Sequence, residues 1–477
     1  MNTWVAAVPL IVVAVGALVL RRPAWQIALV SLVATAVGTA IADYSGFAAS
    51  LARSLDAGGL LTLDAGIVIA AGLLLNELLR RGGGHDRILA WIRSWPVATP
   101  VAVLIMTTAF GPAFESLAGF GVSLLVTVPI LLRLLPRGKA LAASLLSLTI
   151  MPWGTAGLAT RTAASLTGVD QRALGFTSSL ISFAVFPVFA VAVALVIIQR
   201  GARRQPIVAA IGLGCVFSAV LVAMNALGLV PLASFTAGAV TGTLAYVVLV
   251  RPTHAAGPAP WPTLAPYGIA VVVIALLHVI DGLTGWDSHL AVHAGSVTFA
   301  PLASPAIGLL AAAALLWLAS PGLPVLGRTV GGTAWKPIVA LFGFAVTSEL
   351  LNITGTVTGV GALVARTGPV GYIFFVPLLG ITSGYLAGSG TAANALMATT
   401  QAAIGTQFGT ALATVALQNS AAGHAVFASL PETVMVLAIA GDATRAEESQ
   451  LLRLGSTMLV AVLVITVTAA SIILALR

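Results

Sequence analysis

The sequence has very little charge. Acidic and basic residues together make up 8% of its 477 residues, against roughly 25% in an ordinary soluble protein. Hydrophobic residues make up 59%. So few charges cannot cover a water-soluble body of this size, so lipid is the solvent for most of the chain. Cysteine is equally scarce. Cys215 stands alone in an apolar run, which excludes an intrachain disulfide and a thiolate metal site. The six histidines (His85, His254, His278, His289, His293 and His424) are scattered, so no metal centre or other cofactor is expected. No Gly-Lys-Ser/Thr phosphate loop is present, which excludes ATP as a driving force in cis. No polar run is long enough for a separate soluble domain. The net charge of +8 sits in short clusters between apolar runs, where membrane proteins keep it, and does not point to nucleic acid.

What remains is a succession of apolar runs near residues 4–20, 24–43, 60–79, 139–169, 174–198, 207–229, 231–250, 265–281, 303–318, 337–354, 411–440 and 456–476. Each suits a membrane helix of roughly 20 residues, and together they predict an all-α polytopic membrane protein. The first run carries its basic residues, Arg21 and Arg22, behind it, so it reads as a retained span with the N-terminus outside rather than a cleaved leader. The run 100–132 is basic on both flanks: Arg80, Arg81, Arg87 and Arg93 before it, Arg133, Arg137 and Lys139 after it. If basic flanks stay inside, the segment enters and returns to one side as a re-entrant hairpin. Threaded so, Arg200, Arg203, Arg204, Arg251, Arg328, Lys336, Arg445 and Arg453 fall inside. Arg53, Arg161, Arg172, Arg366 and Arg477 fall outside.

Two blocks resemble each other at a nearly constant offset. Leu117-Ala-Gly-Phe-Gly121 matches Leu386-Ala-Gly-Ser-Gly390, Ala140-Leu-Ala-Ala143 matches Ala411-Leu-Ala-Thr414, and Glu77-Leu-Leu79 matches Glu349-Leu-Leu351. The threading gives the blocks opposite orientations. Inverted repeats with interrupted helices are the usual plan of secondary transporters, with the ligand near the midplane. On this plan residues 1–84 are scaffold helices of the first repeat, 85–173 a hairpin and broken helix that move with the substrate, 174–366 scaffold helices joining the repeats, 367–442 the second hairpin and broken helix, and 443–477 a last scaffold helix.

Four interruptions are expected: hairpin turns at Glu115–Gly121 and Gly388–Asn394, and broken spans at Pro152–Gly157 and Asn419–Gly423. Glycine lets the backbone unwind and approach a ligand, and half-helix N-termini attract anions. Ser116, Gly119, Phe120, Gly121, Thr155, Ser389, Gly390, Thr391, Asn394 and Asn419 are therefore the candidate binding residues for a small carboxylate. The alternative is that the glycines serve tight packing and the hydroxyls bond to their own helices.

At these residues the chain resembles the lactate permease family. Ala109-Phe-Gly-Pro-Ala-Phe-Glu-Ser-Leu-Ala-Gly-Phe-Gly121 is similar to that family's A-F-G-A-F-L-E-G-A-A-G-F-G, and Pro377-Leu-Leu-Gly380 followed by Gly388-Ser-Gly-Thr-Ala-Ala-Asn394 to its P-L-L-G and G-S-D-T-S-S-N. Thr167-Gly-Val-Asp170 and Gln401 also fall where the family has them. The resemblance implies uptake of lactate or glycolate with protons across a bacterial inner membrane. It also implies a homodimer in which one domain moves like an elevator. The chain departs from the family at Gly390 (an Asp there), Phe427 (a Lys), Glu432 (a Gln) and Arg161 (an apolar residue).

The intramembrane charges carry the remaining expectations. Arg161 either receives the substrate carboxylate, which guanidinium fits bidentately, or snorkels to the outer surface. Glu115 either exchanges the coupling proton or caps the helix that follows it. Glu349 and Glu432 are further acids in apolar runs, with Glu432 counted as the repeat equivalent of Arg161. His424 either shuttles protons or makes a satisfied polar contact. Asp64 starts a span and is expected at the interface, Glu77 is expected to pair with Arg80 and Arg81, and His289 and His293 are expected at the surface beside Trp286. The competing readings are a sodium-coupled or dicarboxylate carrier, a membrane enzyme, for which no catalytic cluster is visible, and a passive channel.

Overall fold

The computed structural model describes residues 4–476 apart from 43, 120, 122, 199–203, 252–256, 296 and 320–326. Phe120, Arg200, Arg203 and Arg477 therefore lie outside the described residues. Backbone groups in a bilayer must find partners within the chain, and the described chain is helical almost throughout, with one short antiparallel pair, β1 (Val292–Ala294) and β2 (Val297–Phe299). Ten helices among the described residues are long and apolar enough to cross a membrane, or twelve if two bent pairs are single spans. The chain is a multi-pass membrane protein.

The first helices are α1 (Trp4–Ala14), α2 (Ala24–Ala42) and α3 (Tyr44–Arg81). At 38 residues, α3 is about 57 Å long, well beyond a hydrocarbon core of about 30 Å. The apolar run at 60–79 is thus only its second half. Asp64 is consequently buried in mid-helix rather than interfacial. At the far end of α3, Glu77 holds Arg80 (2.6 Å) and Arg81 (2.9 Å), cations placed where the helix dipole favours them.

Next comes the short amphipathic α4 (Gly84–Arg93), which buries Ile88, Leu89, Trp91 and Ile92. Trp91 and Trp95 pack on Phe110 and Tyr246. This aromatic cluster pins the entry to the first hairpin. The hairpin's first arm is α5 (Thr99–Ile105) and α6 (Gly111–Ala118), joined by a widened turn over Met106–Phe110. Pro112 follows at once; it has no N–H to give, and an expanded turn accommodates it. The return arm is α7 (Leu124–Leu134). Then α8 (Arg137–Leu146) and α9 (Gly154–Thr167) form one span bent by 52°. The apolar run at 174–198 is not one straight helix: α10 (Gln171–Ile181) and α11 (Val185–Ile197) meet at 42°.

After α12 (Arg204–Ala226), α13 (Ala233–Ala245), α14 (Trp261–Thr284), α15 (Trp286–Leu290) and α16 (Ala306–Ala319), the earlier order of elements recurs. A long helix, α17 (Gly327–Ile353), is followed by a short one, α18 (Thr356–Ala365). Then come a hairpin of α19 (Gly368–Ala387) and α20 (Gly390–Gln407) and a broken span of α21 (Ala411–Ala425) and α22 (Leu430–Ala440). The helix α23 (Arg445–Ala475) closes the chain, held at its start by a Thr444–Glu447 capping box. The pair α4 and α18 was not visible in the sequence matches, yet each is 10 residues long and stands just before its hairpin.

The sequence misplaces one break. Asn419–Gly423 is regular helix within α21, and the interruption comes later, at Val426–Ala428. There Ser429 caps α22 and Pro431 takes its first turn. Counted from the two breaks, Arg161 and Glu432 are also not equivalent: Glu432 lies in the first turn of α22, Arg161 halfway along α9.

Candidate functional site

Glycine sets the first hairpin turn. Gly119 adopts φ 69°, ψ −176° and Gly121 φ 71°, conformations that a side chain disfavours. Glu115 closes the turn. Its carboxylate accepts from the Gly121 N–H (2.8 Å), the Ser123 N–H (3.1 Å) and the Ser123 hydroxyl (2.8 Å). Glu115 is thus fully buried and satisfied by the chain that begins the return arm. The second turn is tighter: Gly388 is left-handed (φ 61°), and Ser389 is extended and accepts from Ala392 N–H to cap α20.

The broken span opposite is more unusual. Thr155, Ala156 and Gly157 are all left-handed, with φ 51°, 54° and 74°. Non-glycine residues there persist only where surroundings over-determine them. The surroundings are visible: Thr160 donates to the Pro152 carbonyl across the break (2.8 Å), and Gly119 leaves no room for a Cβ beside Thr155. A Cβ on Gly390 would meet Met151 O at 3.2 Å and Ala159 at 3.3 Å, and one on Gly423 would meet the Pro152 ring at 2.5 Å. Both hairpins, the first break and the C-terminal end of α21 therefore converge on one locus.

Two cavities lie at this locus. A vestibule of about 510 Å³ is walled by apolar side chains of α2, α3, α17 and α22, such as Trp25, Ile69, Leu73, Leu341 and Met435. Its rim includes exposed Pro23, Thr329, Thr333 and Lys336. Its inner end reaches both turns at Gly121 and at Gly388–Ala392. A second chamber of about 30 Å³ lies between Met151, Gly154, Thr155, Gly388–Thr391 and Val426. Glu432 lines both. It is 4% exposed, and its Oε2 has no hydrogen-bond partner among the described residues.

Of the candidate binding residues, Gly121, Thr155, Ser389, Gly390 and Thr391 line one or both cavities, and Gly119 packs on Thr155. Ser116 points elsewhere, to the Ser234 hydroxyl on α13. Asn394 and Asn419 lie deeper and are used by the protein. Asn394 donates to Ala159 O (2.9 Å) and to Asn419 Oδ1 (2.8 Å), and Asn419 donates to Thr160 (2.9 Å) and Ser178 (3.1 Å). Together they tie α20, α21, α9 and α10. Asn419→Ala should therefore lower the unfolding temperature in detergent, since each orphaned buried group costs about 1–3 kcal/mol. An unchanged transition would refute this stitching role.

Arg161 neither reaches the cavities nor snorkels. Its Nη2 donates to Asp64 Oδ2 at 2.8 Å, in a pair whose side chains are 9% and 7% exposed. Ser304 also donates to Asp64 (3.3 Å). His424 is buried with Nε2 2.8 Å from the Ser182 hydroxyl, and Glu349 is buried on α17. His293 pairs with Thr298 across the exposed β-hairpin. Phe427 packs edge-on against Phe189. Sequence reasoning passed over Asn76 and Lys336 as wall residues. Lys336 sits a third of the way into α17, whereas the charge threading places it with the inner basic residues.

Residues 270–476 match the family model described as L-lactate permease. A protein described as L-lactate permease from Streptococcus iniae is 23% identical over 367 residues, covering 69% of this chain and 75% of that protein. Both findings support the lactate permease family. The match to the family model takes in the second hairpin, the second break and Glu432, and leaves the first hairpin outside it. The two departures from the family's motifs at Gly390 and Glu432 face one chamber. An acid absent from one wall is present on another. A permease of this family is a transporter rather than an enzyme.

Proposed function

We propose that the protein is a secondary carrier that takes a small monocarboxylate of the lactate or glycolate type into the cell together with protons. The observation that carries this reading is the convergence of two hairpin turns and a left-handed break on a pair of adjoining cavities deep in the helix bundle. Helix ends there offer N–H groups without internal partners, and their partial positive charge favours an anion. The similarity to lactate permeases adds the ligand class. The recurring order of elements supports two inverted repeats, in which the hairpins and broken spans move as a unit against the remaining helices.

Orientation follows from the basic residues. The vestibule rim adjoins Arg22, Arg80 and Arg328 in sequence. If these face the cytoplasm, the vestibule is the inward exit; the similarity to a bacterial permease supports a bacterial plasma membrane. The test is uptake of labelled lactate and glycolate into liposomes holding the purified protein. An inwardly directed proton gradient without sodium should drive accumulation. Accumulation that appears only with a sodium gradient would refute proton coupling, and no uptake of any monocarboxylate would refute the carrier.

A further inference from the structure

We infer that Glu432 receives the ligand: protonated, it donates its O–H to a carboxylate seated in the small chamber against the N-terminus of α20. The inference rests on the carrier reading and gives it a binding mode.

Three observations carry it. First, Glu432 borders both cavities, and its Oε2 is buried without a partner among the described residues. A bare carboxylate oxygen in a dry interior is costly, and a bound ligand group would satisfy it. Second, α20 is 18 residues long and begins at the chamber wall with Gly390 and Thr391. Ser389 caps the Ala392 N–H, and the N–H groups of Gly390 and Thr391, which a first helical turn leaves without internal acceptors, suit the same anion. Third, the sizes divide the ligand. The chamber of about 30 Å³ is a small fraction of the vestibule of about 510 Å³, so it suits the carboxylate end of the ligand. The neutral remainder of the ligand then lies in the apolar vestibule. Thr155, Ser389 and Thr391 add hydroxyls to the chamber wall.

The chemistry makes proton and anion interdependent. Ionised Glu432 repels an incoming carboxylate and has no hydrogen to give it. Protonated Glu432 binds it as an acid–carboxylate pair. The surrounding charges do not take over this role. Glu115 faces Glu432 across Gly121, where a Cβ would lie 3.0 Å from Glu432 Oε2, but the turn occupies its oxygens. On α8, Arg137 is held by Glu447 of α23 and Lys139 by the carbonyls of Ile197 and Ile198. On α3, Glu77 is held by Arg80 and Arg81, and Arg161 of α9 by Asp64. On α23, Arg445, Glu448 and Arg453 line a separate groove. Arg133 lies in the last turn of α7, Glu349 is buried on α17 and lines neither cavity, and exposed Lys336 stands on the vestibule rim, where it attracts anions of any kind.

The experiment is titration calorimetry of the full-length protein in detergent with lactate, in buffers of different ionisation enthalpy. At pH values where free Glu432 is ionised, the wild type should take up a proton with each lactate and its affinity should fall about tenfold per pH unit; below that range both effects should vanish. Glu432→Gln should bind lactate without proton uptake and with a flat pH dependence, while Glu432→Asp should retain the uptake. Glu115→Gln should keep the linkage, and a monodisperse elution profile with a cooperative thermal transition shows that each variant is folded. Undiminished proton uptake in folded Glu432→Gln would overturn the inference and leave the carrier reading standing. A wild type that neither binds nor transports any monocarboxylate would end both.

Discussion

Arg161→Ala is expected to destabilise the protein by about 3–5 kcal/mol, the usual consequence of removing one partner from a buried ion pair. The pair is 91% or more out of contact with solvent on each side chain and joins α9 to α3 across a sequence separation of 97 residues. With the guanidinium gone, Asp64 keeps, among the described residues, the Ser304 hydroxyl at 3.3 Å, which cannot balance a charge. Asp64→Ala should be comparably harmful, because Arg161 already holds one nitrogen, Nη1, without a partner. The double variant Arg161→Met with Asp64→Leu should recover most of the loss, since replacing both members of a buried pair by apolar groups is often neutral. Thermal unfolding in detergent, read as a double-mutant cycle, measures the coupling. Single variants that melt with the wild type would show that the pair contributes nothing. Loss of lactate binding in a folded double variant would restore Arg161 as a ligand residue.

The multi-pass helical character and the positions of the turns at Gly119–Gly121 and Gly388 could be read from the sequence because lipid imposes length and glycine imposes turns. The first break was legible for the same reason: Pro152, Gly154 and Gly157 sit close together, and a proline and two glycines seldom belong to a straight helix. The second break was misread because Asn419, Ser420 and Gly423 resemble an unwound segment. In fact Asn419 sends its amide sideways to Thr160 and Ser178, and Gly423 is small to admit the Pro152 ring, so neither disturbs the helix. Ser429 and Pro431, a cap and a first-turn proline, were the better signal. Asp64 was misplaced because the apolar run starts at residue 60 while the helix starts at Tyr44. Exposed Arg53 and Asp56 belong to that helix yet break the run. Its partnership with Arg161 is a tertiary fact that spacing does not encode. Glu432 stood out only as an acid in an apolar run; that it borders two cavities depends on how four distant segments meet.

That meeting is most exposed at Gly119, and Gly119→Ala is expected to abolish uptake. Two costs combine there. The backbone stands at φ 69°, ψ −176°, a region essentially reserved for glycine, where a side chain costs about 1–3 kcal/mol. A Cβ would also collide with Thr155 Oγ1, and forcing extra atoms into a packed interior costs about 1–3 kcal/mol more. Thr155 cannot withdraw, because it is one of three consecutive left-handed residues tied across the break. The strain is therefore relieved only if the hairpin turn lifts off the broken span, which opens the chamber. Adding Thr155→Gly removes the collision and leaves the backbone cost, so the double variant should regain part of the thermal stability. Gly168→Ala supplies the comparison. Gly168 is left-handed (φ 70°, ψ 8°) with open space around its Cβ position, so alanine there carries a backbone cost of about 1–2 kcal/mol and the variant should transport normally. Uptake and melting temperature of the three variants separate the two costs. If Gly119→Ala behaves like Gly168→Ala, the hairpin turn and the break are not held together in the working carrier.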